Sequence, residues 1–230
     1  ADVTLADGVD LITASAGTNN VRIGDEAGNA LASGSQHNVV VGDSAGLALT
    51  TGDANVAVGF EALKTEDANG FNTAIGYQAL KTLNAGADSY NTAVGYQAGL
   101  SITTGASNTL IGGLAGDALS TGSSNVAVGY FALSAEDGHG HNVAIGLEAL
   151  KVQDAGQDAY NVAIGSGAGK TISTGAANTL VGGQAGDALS TGGSNVAIGY
   201  QALTTEDGHG LNTAVGTQAL RDLNAGADGY

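Results

Sequence analysis

The amino-acid sequence predicts an all-β chain, a parallel β-solenoid wound in coils of 17–19 residues. Three observations carry that prediction. One nonapeptide, NTAIGYQAL at Asn72–Leu80, recurs with small changes twelve times, opening on Asn20, Asn38, Asn55, Asn72, Asn91, Asn108, Asn125, Asn142, Asn161, Asn178, Asn195 and Asn212. The spacings between these asparagines run 18, 17, 17, 19, 17, 17, 17, 19, 17, 17, 17, and a short fixed period is the mark of stacked repeats. Within each copy β-branched residues flank a central small one, as Thr73 and Ile75 flank Ala74. That alternation has the period of a strand.

The remaining positions fit a coil. A Gly always follows the strand residues (Gly24 through Gly216) and an Ala always follows three residues later (Ala27 through Ala219). Small residues held at one place in every coil imply close approach of another backbone. Connecting stretches such as TGSS, EDGHG and NAGAD are turn formers. A coil of this length has room for two or three short strands. Stacking coils at about 4.8 Å would pair backbone groups and line the asparagines into a ladder, their amides bonding one another or capping turns. Gly is too frequent for helix, and no apolar stripe of period 3.6 persists.

A second period sits above the first. From Asn38 the spacings 17, 17, 19, 17 cycle, giving a 70-residue superrepeat of four coils. Residues 20–230 read as the solenoid and residues 1–19 as an irregular cap or first coil. Tyr230 stands where Tyr90 and Tyr160 each precede the next Asn, so the cycle is expected to continue past it.

Composition excludes several functions. The 230 residues hold 39 Gly, no Pro, Cys, Met or Trp, and ten aromatics, so the core must be thin and built from Ala, Val, Ile and Leu. A net charge of −16 with six Lys plus Arg opposes nucleic acid and anionic membrane surfaces, which need basic side chains. No apolar run reaches a membrane span of about eighteen residues, and no basic segment leads into an apolar one as in a secretory signal. The absence of Cys removes disulfides and thiolate metal sites.

The copies NVAIGYQAL (Asn195–Leu203) and NVAIGSGAG (Asn161–Gly169) resemble the head repeats of trimeric autotransporter adhesins of the YadA type. The NTA[IV]GYQAL form is also similar to repeats of phage tail fibres. The resemblance spans roughly residues 20–230. It implies a left-handed parallel β-roll, three chains side by side, displayed outside the cell on a bacterial surface or a virion. The adhesin heads have a period about three residues shorter, so their ligand preferences are not carried over. Independently, both strand faces are apolar or small, whereas a thin roll buries only one; the other is expected to close a homotrimer.

Candidate sites lie where copies differ. Acidic pairs recur once per superrepeat, at Glu66 and Asp67, Glu136 and Asp137, and Glu206 and Asp207, with Asp88, Asp158 and Asp228 in the next loop. A pair plus loop carbonyls and an Asp from the adjacent loop would suit Ca²⁺; a solvated acidic edge is the simpler, preferred reading. Gly112–Asp117 and Gly182–Asp187 distantly resemble a calcium nonapeptide but lack its third Gly, so a structural turn is preferred. His139 and His141 form an H-x-H that three chains could gather around a transition metal. Equivalent loops carry Asn69 with Phe71 and His209 with Leu211, which favours a plain solvated loop. Aromatics follow the Gly at Phe60, Tyr77, Tyr96, Tyr130 and Tyr200. Turned outward they would offer sugar-stacking platforms; packing between chains is preferred, as it is for Tyr90 and Tyr160.

No catalytic constellation emerges, since neither His nor acid recurs at triad spacing and no Gly-rich loop ends in Lys. Ile75–Leu80 fits one turn of a hexapeptide acyltransferase helix, but only one face of each coil shows the motif. The expected function is therefore a structural or adhesive fibre segment without enzyme activity, extracellular, with itself and a host or environmental surface as partners. The alternative is a solenoid that binds glycan or ice on a repeated face. Thr73, Thr92, Thr109, Thr179 and Thr213 interrupt rows of Val, which weakens the ice-binding form.

Overall fold

The computed structural model describes residues 17–205 and 208–223. Its strands are β1 (Val21–Ile23), β2 (Val39–Val41), β3 (Val56–Val58), β4 (Thr73–Ile75), β5 (Thr92–Val94), β6 (Thr109–Ile111), β7 (Val126–Val128), β8 (Val143–Ile145), β9 (Val162–Ile164), β10 (Thr179–Val181), β11 (Val196–Ile198) and β12 (Thr213–Val215). They form one parallel sheet in sequence order. Each repeat is in register with the next: Ala57 lies opposite Ala74, and Ala74 opposite Ala93. The chain is a β-solenoid with coils of about 17 residues, and no helix occurs among the described residues. Of the expected cap, residues 1–16 lie outside the described residues, while Thr18 already bridges to Gln36 of the next coil.

Each coil contributes one strand where two or three were expected. The cause is the number of left-handed corners. In the NTAIGYQAL copy, Gln78 has φ 57° and Leu80 φ 48°, and Tyr90, just before the next Asn, has φ 52°. Such a conformation costs a non-Gly residue about 1–3 kcal/mol and persists only where its surroundings fix it. Here the neighbouring coils do so. The Gln78 N–H donates to Phe60 C=O at 2.8 Å and the Leu80 N–H to Ala98 C=O at 3.1 Å. The two other walls of the coil are thus successive turns whose backbone groups still pair from coil to coil.

The central strand residue points into the coil, and Ala57, Ala74, Ala93 and Leu110 are fully buried. Volume is shared between this position and the corner six residues on. Where the strand offers Ala74 the corner is Leu80, and where it offers Leu110 the corner is Gly116. A Cβ on Gly116 would sit 2.8 Å from the side chains of Leu110 and Leu119, so only one large residue fits per level. The Gly that follows each strand meets its stacked counterpart. Gly112 has φ +133°, and a Cβ there would lie 2.6 Å from the Gly129 carbonyl oxygen. Close backbone approach at this position is as the sequence implied.

The asparagines form the expected ladder, with a backbone donor at each rung. Asn108 Oδ1 accepts the Asn125 N–H at 2.9 Å, and Asn125 Oδ1 accepts the Asn142 N–H at 3.0 Å. The same link runs through Asn55, Asn72, Asn91, Asn161, Asn178, Asn195 and Asn212. The amide nitrogens reach turn carbonyls, as Asn108 Nδ2 donates to Gly122 C=O at 2.9 Å. All these side chains are buried, so each rung removes a donor and an acceptor that would otherwise be stranded away from water.

Candidate functional site

Four surfaces emerge from this scaffold. On the strand face, the residues flanking the buried one point outward. Every one of them is Val, Ile or Thr, and Ile75, Ile111, Ile164 and Ile198 are exposed. They make two unbroken β-branched columns along twelve strands, about 53 Å at the usual strand spacing.

The second surface is the aromatic row, which points outward and not between packed layers. Tyr77 is 44% and Tyr96 54% exposed. Phe60, Tyr77 and Tyr96 stack face to face, with centroids 5.2 and 5.4 Å apart. Tyr130 and Tyr200 are also exposed and lie over Gly113 and Gly183 of the preceding coil. Tyr90 and Tyr160, expected as packing wedges, are exposed as well; they stack on Phe71 and His141 at 5.1 and 4.9 Å. A coil with three left-handed corners turns these positions away from its core, which has room only for small and aliphatic side chains.

Beside the aromatic row runs a polar ladder that the nonapeptide already spelled in its Gln. Gln97 Nε2 donates to Gln78 Oε1 at 2.8 Å, and Gln78 Nε2 donates to Glu61 Oε2 at 2.8 Å. Lys64 and Lys81 pair with Glu61 at 2.5 and 2.7 Å and hold its carboxyl at about 2. Glu148 is matched by Lys151 and Lys170 at 2.6 and 2.7 Å and is likewise lowered to about 2. A shallow groove bordered by Glu148, Lys170, Asp187 and Tyr200 opens next to this ladder. Burial raises the Asp187 carboxyl, and its Oδ1 has no hydrogen-bond partner. Asp117, the Asp of the first calcium-like stretch, is raised by burial too.

The fourth surface is the acidic loops, and here the paired reading needs correction. Neighbouring acids point opposite ways. Glu66 and Glu136 are fully buried, whereas Asp67 and Asp137 are exposed. Asp67 and Asp137 hold the coils together by their carbonyls, which accept the hydroxyls of Thr50 at 2.7 Å and Ser120 at 2.6 Å. Glu66 Oε1 accepts Asn69 Nδ2 at 2.9 Å and the Asn69 N–H at 3.1 Å, and Oε2 accepts the Ala85 N–H at 3.3 Å. Asp88 and Asp158 are spent on the Gly70 and Gly140 N–H groups, each at 2.9 Å. Glu206, Asp207 and Asp228 lie outside the described residues.

Only around Glu136 do potential ligands converge among the described residues. Glu136, Asp137, His139 and Asp154 each place one ligand atom within 4.8 Å of the others. His139 donates its N–H to Glu136 Oε1 at 3.1 Å, with Nδ1 3.2 Å from the same oxygen. Burial raises the Glu136 carboxyl, the His139 contacts offset this in part, and the Asp154 charge adds to the rise. His141 points away, stacked on Tyr160 with Nε2 3.8 Å from Asp158, so the H-x-H does not act as a unit within the chain. Asp154 went unnoticed in the sequence because it stands 18 residues from Glu136, one coil on; its signal is that Asn84 fills the equivalent place 70 residues earlier.

No described helix is long and apolar enough to cross a membrane. Searches of protein-family models, curated proteins and solved structures find no match to this chain.

Proposed function

We propose that the chain is a structural and adhesive segment of an extracellular fibre, of the kind carried by bacterial surface adhesins or phage tails. In this reading three copies lie side by side as a homotrimeric rod that presents outward columns to a host or environmental surface. It acts without catalysis, without nucleic acid and without insertion of this segment into a membrane. The observation that carries the reading is the strand face. Two columns of β-branched residues, unbroken along the sheet and open to solvent, form an apolar strip larger than soluble monomers ordinarily leave exposed. Self-association around one axis covers it in all copies at once.

Light scattering on the intact chain tests this directly. A mass three times 22.2 kDa and a rod in negative-stain images are the expected results. Val128→Lys, on the outward face of β7, should shift the mass to that of a monomer while leaving the far-ultraviolet circular dichroism unchanged. A wild-type monomer at micromolar concentration overturns the proposal.

The outward aromatics favour glycan among the surfaces such a rod could meet. Stacking on aromatic faces is how sugar rings are commonly held, and Tyr200 borders a groove with the charged Glu148, Lys170 and Asp187. Binding on a glycan array that Tyr200→Ala abolishes supports this form; an array without a hit returns the role to that of a spacer.

A further inference from the structure

We infer that Glu136, Asp137, His139 and Asp154 form a binding site for one divalent transition-metal cation, of the zinc or cobalt class and not calcium. Four ligand atoms already lie within 4.8 Å of one another. A cation bonded at about 2.0–2.2 Å spaces its ligands about 3–4 Å apart, so modest rotation of side chains closes the set. Asp137 and Asp154 are exposed and free to make that rotation, whereas Glu136 is held in place.

A cluster of acids alone would be a solvated edge, and a second observation distinguishes this one. Glu136 is fully buried, and its Oε2 has no hydrogen-bond partner. Gln153, also fully buried and next to Asp154 in sequence, leaves its Nε2 without one. A buried carboxylate oxygen left bare costs about 1–3 kcal/mol or more, and coordination is one way to satisfy it.

The superrepeat supplies an internal control. Seventy residues earlier the same backbone carries Asn69 for His139, Leu83 for Gln153 and Asn84 for Asp154. There Glu66 is satisfied on both oxygens, by Asn69 and the Ala85 N–H. Two ligands are gained in the second superrepeat and the buried Glu loses its partners, which is the pattern of a structural loop converted to a ligand set. The donor set also decides the class of cation. Calcium takes oxygen ligands, whereas an imidazole among carboxylates suits zinc and its neighbours. The assignment concerns one chain and stands or falls independently of the fibre reading.

The test is titration of chelator-treated protein with Co²⁺ and Zn²⁺, followed by the visible cobalt spectrum and by calorimetry. One equivalent should bind, with cobalt bands that zinc displaces and millimolar calcium does not. His139→Asn and Asp154→Asn each install the residue found in the equivalent loops, so both should fold. Each should weaken binding by more than about tenfold, as even outer-shell changes at metal sites reach 10–100-fold. Absence of stoichiometric binding overturns the inference. So does binding that survives the double variant, or calcium binding as tight as that of zinc.

Discussion

The loops at 66–88 and 136–158 are built on one backbone and filled with different chemistry. In both, the buried Glu enters the coil, the exposed Asp ties its carbonyl to a hydroxyl of the preceding coil, and an Asp of the next loop caps a Gly N–H. The first loop closes on itself, since Asn69 and the Ala85 N–H meet Glu66 on both oxygens. The second stays open: His139 meets one oxygen of Glu136, and the other has no partner. The scaffold is held by Asn, Gly and the corners, so loop contents are free to change at little structural cost. Function in such a chain is to be sought in the differences between copies.

The largest expected effect tests the shared half of this comparison. Asn55 Nδ2 donates to Asn69 C=O at 2.9 Å, and Asn55 Oδ1 accepts the Asn72 N–H at 3.0 Å. Asn125 does the same for His139 C=O at 3.1 Å and the Asn142 N–H at 3.0 Å. Replacing either by Ala strands a buried donor and an acceptor, at about 1–3 kcal/mol each. Asn55→Ala and Asn125→Ala should therefore each lose about 3 kcal/mol in urea unfolding. Unequal losses would mean that the two loops do not share a scaffold.

A smaller effect, of opposite sign, tests the half that differs. Gln153 stands where the first loop has Leu83; its Oε1 accepts Asn161 Nδ2 at 2.6 Å, while Nε2 is stranded. Asn161 keeps its bond to Gly175 C=O at 2.7 Å without it. Gln153→Leu should stabilise metal-free protein by about 1–2 kcal/mol, through the stranded amide removed and the apolar surface buried. A loss of stability would show that the amide is satisfied in solution and that the second loop is as closed as the first.

Periodicity made the scaffold legible. Asn at a fixed spacing, Gly after each strand and the alternation around Ala74 led to a parallel solenoid, because identical positions stack and their chemistry reinforces. The corners were not legible. Gln78 and Leu80 are unremarkable residues in a left-handed conformation that only the neighbouring coils impose, so turns read as strands. Side-chain direction at irregular positions was also hidden. Glu66 and Asp67 read as a pair because they adjoin, yet one faces the core and the other water. Asp154 joins Glu136 only through stacking of one coil on the next. Aligning the superrepeats would have flagged it, since His139, Gln153 and Asp154 depart together from Asn69, Leu83 and Asn84.

The smallest effect concerns the ion pairs that flank the first loop but not the second. Glu61 lies between Lys64 and Lys81, and the matching place 70 residues on is Phe131, with Lys151 Nζ 5.0 Å from its ring centroid. With its carboxyl at about 2 against an ordinary 4.5, Glu61 is more acidic folded than unfolded. Its contribution is present above pH 4.5 and lost as pH falls towards 2, because the unfolded chain takes up the proton first. The lysines are partly exposed, so solvent and salt reduce the contribution to under about 1 kcal/mol. Glu61→Gln should cost that amount at pH 6 in low salt, and nothing measurable at pH 2 or in 0.5 M salt, where screening is nearly complete (roughly a 4 Å Debye length). Phe131→Leu, at the matching place, should show no such dependence on acid. If both variants respond alike to pH, the two flanks are held by the same forces, and the difference between the superrepeats narrows to the loops themselves.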